Sequence, residues 1–369
     1  MLINCSEDLG AVSYVGPMLP VTQEEFIPES PSIPRYRQIL KQHLPEKYLK
    51  PDNRNLLWFF PHAAVIGVGL WLLTAHFTWW SAIIISLVIG HTFGCLGFLA
   101  HEICHGGPVK NKKLRHFLAA LGFSPFGIGP YVWSRWHNST HHSHTQSIEF
   151  DPDRLFTMDE YKNNKILRSL YRLHPVARNT VVFAFFSLMM SQHNLVMVWT
   201  YMRAPDSSSR DKATMMFQFI LPKVLWIGFT AFFGWKVLLF GYVFPLLVGN
   251  TLVISYISTN HFLNPLADHD DVLASSLSVT LPRWLGWLDV LHSRFGAHVS
   301  HHLFPQAPTR YTRQIEQHIQ ELWPDRFHVM PLTRALKLLF QTNWVYDESG
   351  TALIDPVREV AIPTLGNGL

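Results

Sequence analysis

Cysteine and charged residues are scarce in this chain of 369 residues. Its three cysteines, Cys5, Cys95 and Cys104, provide no disulfide framework, and the polar N-terminus shows no signal-peptide pattern. Only 15% of the residues are charged, whereas 48% are hydrophobic and 14% are aromatic. Soluble proteins carry about 25% charged residues, so this composition indicates an integral membrane protein.

Long uncharged runs support a membrane location. Leu57 to Ala75 and Ser81 to Ala100 each contain about 20 residues, the length that a bilayer core requires. Phe217 to Ser258, whose only charged residues are Lys223 and Lys236, is long enough for two further spans with a turn near Gly234. These runs predict four membrane-spanning helices in two hairpins. The alternative is a set of buried helices in a large soluble protein.

Basic residues set the predicted orientation. Lysines and arginines are frequent in residues 1–55 and in Asp151 to Thr180, which the positive-inside rule places in the cytosol. Two further apolar segments, Leu114 to Trp133 and Val181 to Met202, are expected to lie on the inner surface or dip into it. The first contains glycines and prolines that break helices, and the second has basic residues at both ends. Both termini are therefore predicted to be cytosolic.

These segments together predict an all-α membrane protein with a cytosolic helical cap. Residues 1–55 would form a cytosolic N-terminal segment, residues 56–330 the membrane domain, and residues 331–369 a cytosolic C-terminal tail. Tyr311 to Trp323 is predicted to be a helix, and the chain after it to be short and irregular.

Three histidine clusters adjoin the predicted inner ends of the spans. Histidines three or four residues apart share one face of a helix. Crowded neutral imidazoles are costly to bury, and a metal ion relieves that cost by binding their lone pairs. The clusters contain eight histidines at such spacings: His101 and His105; His137, His141 and His142; His298, His301 and His302.

Eight imidazoles exceed the needs of one metal ion. About four to six ligands saturate a first-row ion, so the number favours two ions held close together. Imidazole ligands in a dinuclear site suggest iron and oxygen chemistry, although spacing alone does not identify the metal. For any single cluster, a solvated histidine patch or a pH sensor is the alternative.

The clusters have the forms H-x-x-x-H, H-x-x-x-H-H and H-x-x-H-H, and the last continues into Leu303, Phe304 and Pro305. In this order, on a body with four spans, they resemble the histidine boxes of the membrane fatty acid desaturase family, over about residues 56 to 330. The resemblance implies a di-iron centre at the cytosolic membrane face. Such a centre activates O2 and removes two hydrogens from an acyl chain, which yields unsaturated fatty acids. Members of the family take electrons from ferredoxin or from cytochrome b5.

The resemblance carries iron-binding roles onto the eight box histidines. A further ligand often follows the last span in this family, and His261 is the best-placed candidate, with a helix cap as the alternative. Asn260, Asp151 and Asp153 are candidates to orient ligand histidines, although the two aspartates also suit a plain turn. His144 is expected at the surface or behind a ligand.

Several positions depart from parts of the family. His298 stands where front-end desaturases typically carry glutamine, which argues against that subgroup. No His-Pro-Gly-Gly signature of a cytochrome b5 domain is present, so a separate protein is expected to supply electrons. Asn138 stands where the shorter form of the second box has its first histidine, which leaves the role of His137 open. His91, inside the second span, is expected to make a hydrogen bond between helices.

Other functions fit part of the pattern. The same scaffold can hydroxylate, make triple bonds or form terminal alkenes. Residues 101–105 also match the H-E-x-x-H zinc metalloprotease motif, with Glu102 as general base and Asp289 as a third ligand, but that hypothesis leaves two clusters unused. A metal transporter or sensor would need ionisable residues inside the spans, which are nearly bare. The expected substrate is an acyl group on a phospholipid, acyl-CoA or acyl carrier protein; no nucleic-acid partner is expected.

Overall fold

The computed structural model describes residues 32–151, 154–266 and 271–369, and helices dominate these ranges. The α-helices of the described chain are α1 (Ile33–His43), α2 (Phe59–Ala75), α3 (Trp79–Cys104), α4 (Lys112–Phe123), α5 (Pro130–Trp136), α6 (Met158–Asn163), α7 (Lys165–Leu170), α8 (Pro175–Arg203), α9 (Ser209–Phe232), α10 (Trp235–Leu238), α11 (Phe244–His261), α12 (Val272–Ser275), α13 (Gly286–Leu291), α14 (His298–Leu303), α15 (Thr312–Leu322) and α16 (Leu332–Gln341).

Four helical segments of the described ranges are long and apolar enough to cross a membrane: Arg54–Ala75, Trp79–Cys104, Ser209–Phe232 and Trp235–His261. The first adds a 3-10 turn to α2, and the last runs from α10 through a π turn into α11. The shortest has 22 residues, or about 33 Å of helix, which exceeds a hydrocarbon core of about 30 Å. The predicted spans are therefore confirmed, and the protein is a membrane protein.

Helices α3 and α11 pack closely because glycines line their contact. A Cβ atom on Gly90 of α3 would lie 2.5 Å from Cβ of Val248. Gly249 of α11 approaches α3 in the same way, since a Cβ there would lie 3.1 Å from the Gly90 carbonyl oxygen. Small residues permit such an approach between helices in a bilayer. The packing also brings together the helix ends that carry His101 and His261.

The second hairpin turns at Gly234, as predicted. Its φ of 101° is accessible to glycine and strained for other residues. Beside the turn, the Lys236 ammonium lies 4.6 Å from the ring centroid of Phe77, a favourable cation–π contact. Lys223, within α9, donates to the Gly127 carbonyl at 3.0 Å. Lys223 and Lys236 therefore both have partners inside the protein.

The two apolar segments not expected to cross the membrane differ from the spans. Helix α4 has 12 residues, or about 18 Å, and is too short to cross. Helix α8 is bent by 52° between Pro175–Ser191 and His193–Arg203, and only the two parts together pass as a span. Such a bend suits a broken span or a re-entrant segment, so the re-entrant assignment stays a prediction.

Short elements cover the inner ends of the spans. A parallel pair joins β1 (Ser278–Thr280) to β2 (Val329–Pro331), and an antiparallel sheet has the order β3 (Val345–Tyr346), β4 (Ala352–Asp355), β5 (Val360–Pro363). Helix α15 confirms the helix predicted near residues 311–323.

The expectation of an irregular C-terminal tail is wrong. Its residues form β2, α16 and the antiparallel sheet, and Leu332, Ala335 and Leu365 belong to the same hydrophobic core as α3. A buried ion pair adds to this attachment, because Arg178 of α8 donates to Asp355 at 2.9 Å. Leu332, Ala335 and Leu339 lie on one face of α16 at helical spacing, a signal that could have predicted this helix. Its packing against α8 and α11 orders the segment.

Candidate metal centre

The inner end of α3 supplies the first histidine pair. Helix α3 ends at Cys104, and His105 is its C-terminal cap. His101 and His105 lie one turn apart, so they share a face, and their ring centroids are 4.7 Å apart.

A π turn that begins at His137 separates the histidines of the second cluster. The His142 amide donates to the His137 carbonyl at 3.0 Å, so residues five apart come to the same side. Their Nε2 atoms are 3.1 Å apart. His141 faces different partners, with its ring centroid 4.8 Å from that of His261 and 5.2 Å from that of His302. Single π turns of this kind are frequent at functional sites.

Helix α14 divides the third cluster in a similar way. His298 and His302 are four residues apart, and their Nε2 atoms are separated by 3.0 Å. His261, the last residue of α11, brings its Nε2 to 2.7 Å from that of His298. His301 faces the other side, where its Nε2 lies 3.1 Å from that of His105.

The structure thus brings the nine predicted ligand histidines into two buried groups. Within each group, one nitrogen of every ring lies within 4.8 Å of the others. Each group has the size of a metal coordination shell. The five-histidine group contains His101, His105, His137, His142 and His301, and the four-histidine group contains His141, His261, His298 and His302.

Carboxylates behind the rings fix their orientation. The Glu102 carboxylate lies 3.1 Å from Nδ1 of His101 and 3.4 Å from Nδ1 of His301. Asp151 lies 3.2 Å from Nδ1 of His141, the kind of contact predicted for it. An acceptor at Nδ1 holds the ring proton there and leaves the Nε2 lone pair free.

Neutral acceptors act in the same way on the four-histidine group. The Thr145 hydroxyl donates to the His141 carbonyl at 2.7 Å, so it is an acceptor toward Nδ1 of His302, 3.4 Å away. The Ser275 carbonyl lies 3.4 Å from Nδ1 of His261. Neither residue was predicted from the sequence. Thr145 is 157 residues from His302, and Ser275 is 14 residues from His261 without a spacing that relates the two.

The Nε2 atoms converge in a way that suits metal ions better than hydrogen bonds. Nε2 of His137 lies 3.0 Å from that of His101 and 3.1 Å from that of His142. Nε2 of His298 similarly faces both His261 and His302. One ring nitrogen cannot make good hydrogen bonds to two others at once, whereas one metal ion accepts all three lone pairs. This all-imidazole donor set fits a first-row transition metal such as iron.

Burial keeps these histidines neutral at physiological pH. It lowers the pKa of His301 to about 3, and the nearby His141 and His261 contribute to the shift. Burial, and then neighbouring histidines, also hold the pKa of His105 and of His302 well below the ordinary value. Neutral imidazole is the form that binds metal ions.

A cavity of about 290 Å³ lies against both groups. Histidines of each line it, including His101 and His137 from one and His261 and His298 from the other. Its other walls are mainly apolar and include Phe126, Ile128, Phe185, Met189, Met190 and Ile257. An apolar cavity with a few polar groups at one place is typical of a binding site for a small, mostly hydrocarbon ligand.

Two aromatic residues that were not predicted cover the histidines. The Trp133 ring stacks on His137 with centroids 4.2 Å apart. The Phe295 ring lies 4.9 Å from His101 and 5.4 Å from His298, and so touches both groups. Trp133 is four residues before His137, and Phe295 is three residues before His298. Spacings of three or four residues could have identified both aromatic residues.

The remaining predicted residues have varied surroundings. Asn260 is fully buried, and its side-chain amide has no hydrogen-bond partner in the described chain. Asp153 lies outside the described residues. His144 is exposed, in agreement with the expected surface position. His91 was expected to make a hydrogen bond between helices; its Nε2 lies 2.9 Å from Nε2 of His292, which directly follows α13 and is not part of a helix.

The H-E-x-x-H hypothesis gains no support from this geometry. Asp289, its proposed third ligand, pairs instead with Arg313 at 3.0 Å. His101 and His105 share their group with histidines from the other two clusters. Within the described residues, the motif therefore belongs to a larger centre.

Four spans, two buried histidine groups and an apolar cavity that touches both define a class of protein, a membrane protein with a candidate metal centre beside a cavity suited to a hydrocarbon chain. Comparison with known families makes the assignment more specific. The model of the family described as "Fatty acid desaturase" matches residues 77–333. The chain belongs to this family, and it is an oxidoreductase of the fatty acid desaturase type.

Curated relatives agree with this family. The chain is similar to the sn-1 acyl-lipid omega-3 desaturase (ferredoxin) of Synechocystis sp., at 26% identity over 335 residues, 86% of this chain and 89% of the relative. It is also similar to the protein of the same name from Nostoc sp., at 23% identity over 340 residues, 87% of this chain and 89% of the relative. The chloroplastic omega-6 fatty acid desaturase of Spinacia oleracea is 23% identical over 270 residues, 68% of this chain and 56% of the relative.

Proposed function

We propose that this protein introduces a double bond into a fatty acyl chain of a membrane lipid, with O2 as oxidant and a di-iron centre held by nine histidines. The observation that carries the proposal is the apolar cavity lined by members of both histidine groups. An acyl chain in that cavity lies beside both groups at once. Two neighbouring carbons then face the same oxidising centre.

In this proposal the five-histidine group binds one iron and the four-histidine group binds the other. When bound, the two irons would supply the redox chemistry that reduces O2. Two hydrogen atoms of the acyl chain, two external electrons and two protons reduce one O2 to two waters, and the acyl chain is left with a double bond. Glu102 holds the tautomers of His101 and His301, and Asp151 holds that of His141. Trp133 and Phe295 cover the imidazoles and keep bulk water from the reacting carbons.

The names of the relatives support an acyl-lipid substrate and ferredoxin as electron donor. Acyl-CoA or acyl carrier protein as carrier and cytochrome b5 as donor are the alternatives. The position of the double bond would follow from how far the chain enters the cavity. Related chemistry on the same scaffold, such as hydroxylation, acetylenic bond formation or terminal alkene formation, differs in where the chain presents its hydrogens.

The proposed orientation places the histidine groups and both termini at the cytosolic side. Lys110, Lys112 and Lys113 follow the first box and are exposed, as the positive-inside rule expects of a cytosolic loop. With this orientation, the chain would divide into a cytosolic segment 1–55, a membrane domain 56–330 and a cytosolic region 331–369.

Fatty-acid profiling tests the activity. The chain is expressed with ferredoxin and ferredoxin reductase in a host that lacks the corresponding desaturase, and total lipid is analysed by gas chromatography with mass spectrometry. A new unsaturated acyl chain is expected, and it should be absent in His302→Ala. The matched control is His144→Ala, because His144 is close in sequence but exposed, and it should keep the wild-type product. A hydroxylated or acetylenic product would replace desaturation by the corresponding alternative.

Elemental analysis tests the centre separately. Protein purified in detergent from iron-supplemented cells should contain about two irons per chain, as expected for two coordination shells of histidine. The double variant His301→Ala, His302→Ala removes one ligand from each group and should lose most of this iron. A single zinc that survives this variant and disappears in His105→Ala would contradict the di-iron proposal.

A further inference from the structure

A third cluster of metal-binding atoms lies apart from the two histidine groups. It contains His91 and Cys95 of α3 and His292, which directly follows α13, with one donor atom of each within 4.8 Å of the others. None of the three lines the cavity. We infer that these residues form a separate site for one thiophilic transition-metal ion, with zinc as its natural occupant.

The distances are close to those of a coordination shell. His91 and Cys95 are four residues apart on α3, so they project from one face. Nε2 of His91 lies 2.9 Å from Nε2 of His292, and the Cys95 sulfur lies 3.9 Å from Nε2 of His91. Donor atoms around a tetrahedral zinc are roughly 3.3 to 3.6 Å apart, given its bond lengths to nitrogen and sulfur. The two distances from Nε2 of His91 are therefore each within about half an ångström of a zinc shell, and the Cys95 and His292 donor atoms lie within 4.8 Å of each other.

A contact with Tyr256 orients His292 for metal binding. The Tyr256 hydroxyl lies 2.9 Å from Nδ1 of His292, and Tyr256 is almost fully buried. If Nδ1–H donates to the phenol oxygen, the Nε2 lone pair of His292 points toward His91. Metal-binding histidines typically make such a bond through the nitrogen that does not bind the metal.

The surroundings of His91 and Cys95 favour their use as metal ligands. Ionisable residues within a membrane span are costly and usually functional, and α3 carries both His91 and Cys95 ten and six residues before His101. A neutral hydrogen-bond chain through Tyr256, His292, His91 and Cys95 is the competing arrangement. The two differ at the sulfur, because a metal ligand is a thiolate and a hydrogen-bonded cysteine is a thiol.

A metal ion here would join α3 to the segment that leads into α14. His292 precedes Phe295 by three residues and His298 by six. The site would therefore hold the third histidine box against the helix that carries the first.

Cobalt substitution tests the sulfur ligand directly. The full chain is purified in detergent without iron, loaded with Co²⁺ and examined for a thiolate-to-cobalt charge-transfer band in the near ultraviolet. The two histidine groups contain no sulfur, so such a band reports only a cysteine ligand. With cobalt in excess of the three sites, we expect a band with the intensity of one thiolate-bound cobalt per chain. The band should be lost in Cys95→Ser, and His292→Gln should need at least ten times more cobalt to reach it.

Two controls keep the assignment independent of the di-iron centre. Cys104→Ser changes the other buried cysteine of α3 and should retain the band. His301→Ala, His302→Ala should retain it as well, although both histidine groups are damaged. Absence of the band in wild type, or its persistence in Cys95→Ser, overturns the proposal. If Cys95→Ser does not fold, zinc analysis of the wild type decides, because less than about half a zinc per chain after growth with zinc and iron also overturns it.

Discussion

Glu102 has two possible roles in the sequence, as the general base of an H-E-x-x-H motif or as an acceptor behind a ligand. The structure favours the second role, because its carboxylate meets Nδ1 of both His101 and His301. It is also 4% exposed and does not line the apolar cavity that touches both histidine groups, so it is not placed to act on a chain bound there. One carboxylate thus orients histidines from the first and the third box, and no sequence spacing relates those two histidines.

Replacing Glu102 by glutamine should weaken iron binding. The amide has one acceptor oxygen and no charge, so it supports the two imidazoles less well. Loss of such an outer contact typically costs about 10- to 100-fold in metal affinity. The measurement is iron retained per chain against a graded chelator. Glu149→Gln, at an exposed position, is the control, and equal retention by both variants would contradict this role.

At the scale of elements, the π turn decides which histidines cooperate. In a regular α-helix His137 and His141, four residues apart, would share a face. The π turn instead pairs His137 with His142 and gives His141 to the four-histidine group. This resolves the position of His137, whose role the sequence left open, and leaves its iron binding to experiment. The turn was not predictable, because the same six residues also suit an α-helix.

The close contact of α3 with α11 should make Gly90 intolerant of a side chain. In Gly90→Ala the new Cβ would lie 2.5 Å from Val248 Cβ and 2.7 Å from the Pro245 carbonyl oxygen. Overpacking of this kind typically costs about 1–3 kcal/mol. Gly67→Ala is the control, since a Cβ there meets nothing within 4 Å.

Thermal unfolding in detergent distinguishes the two glycine variants. The midpoint should fall clearly in Gly90→Ala and stay near or slightly above the wild-type value in Gly67→Ala, because alanine lowers the entropy of the unfolded chain. A Gly90→Ala midpoint equal to that of Gly67→Ala would show that the helices separate without cost.

At the scale of the whole molecule, many neutral histidines are buried in one small region. This makes the metal-free protein sensitive to acid. A histidine whose pKa is lower in the folded state than in the unfolded state has no effect on stability above the unfolded pKa of about 6.5. As the pH falls from there toward the folded pKa, the histidine lowers the free energy of unfolding progressively. For His301, whose folded pKa is about 3, the free energy of unfolding should drop by about 2 kcal/mol between pH 7.5 and pH 5.

Thermal midpoints of the metal-free protein at these two pH values check this expectation. The midpoint should be distinctly lower at pH 5, and iron loading should reduce the difference at moderate pH because metal and protons compete for the same nitrogens. A midpoint that does not change between pH 7.5 and pH 5 would mean that the histidines are solvated and not buried.

The cavity predicts variants that lose activity without losing metal. Met190 lines the cavity, whereas Leu188 on the same helix is 49% exposed and is absent from its walls. Met190→Trp should reduce the unsaturated product at least tenfold, since the larger side chain occupies space meant for the acyl chain, and iron content should stay near wild type. Leu188→Trp should keep both. Wild-type product from Met190→Trp would place the acyl chain elsewhere.

The sequence by itself determined the membrane class, the two hairpins and the eight box histidines, because long apolar runs and dense imidazole clusters are local patterns that seldom occur together outside metal-binding membrane proteins. It also singled out His261 as a ninth candidate through the resemblance. Only the tertiary structure decided how nine histidines divide into groups of five and four, and that Glu102, Trp133 and Phe295 surround them. Those facts depend on contacts between segments up to two hundred residues apart. Helix α16 of the C-terminal region could have been predicted, because Leu332, Ala335 and Leu339 recur at helical spacing, but its packing against α8 and α11 is decided only by the tertiary structure.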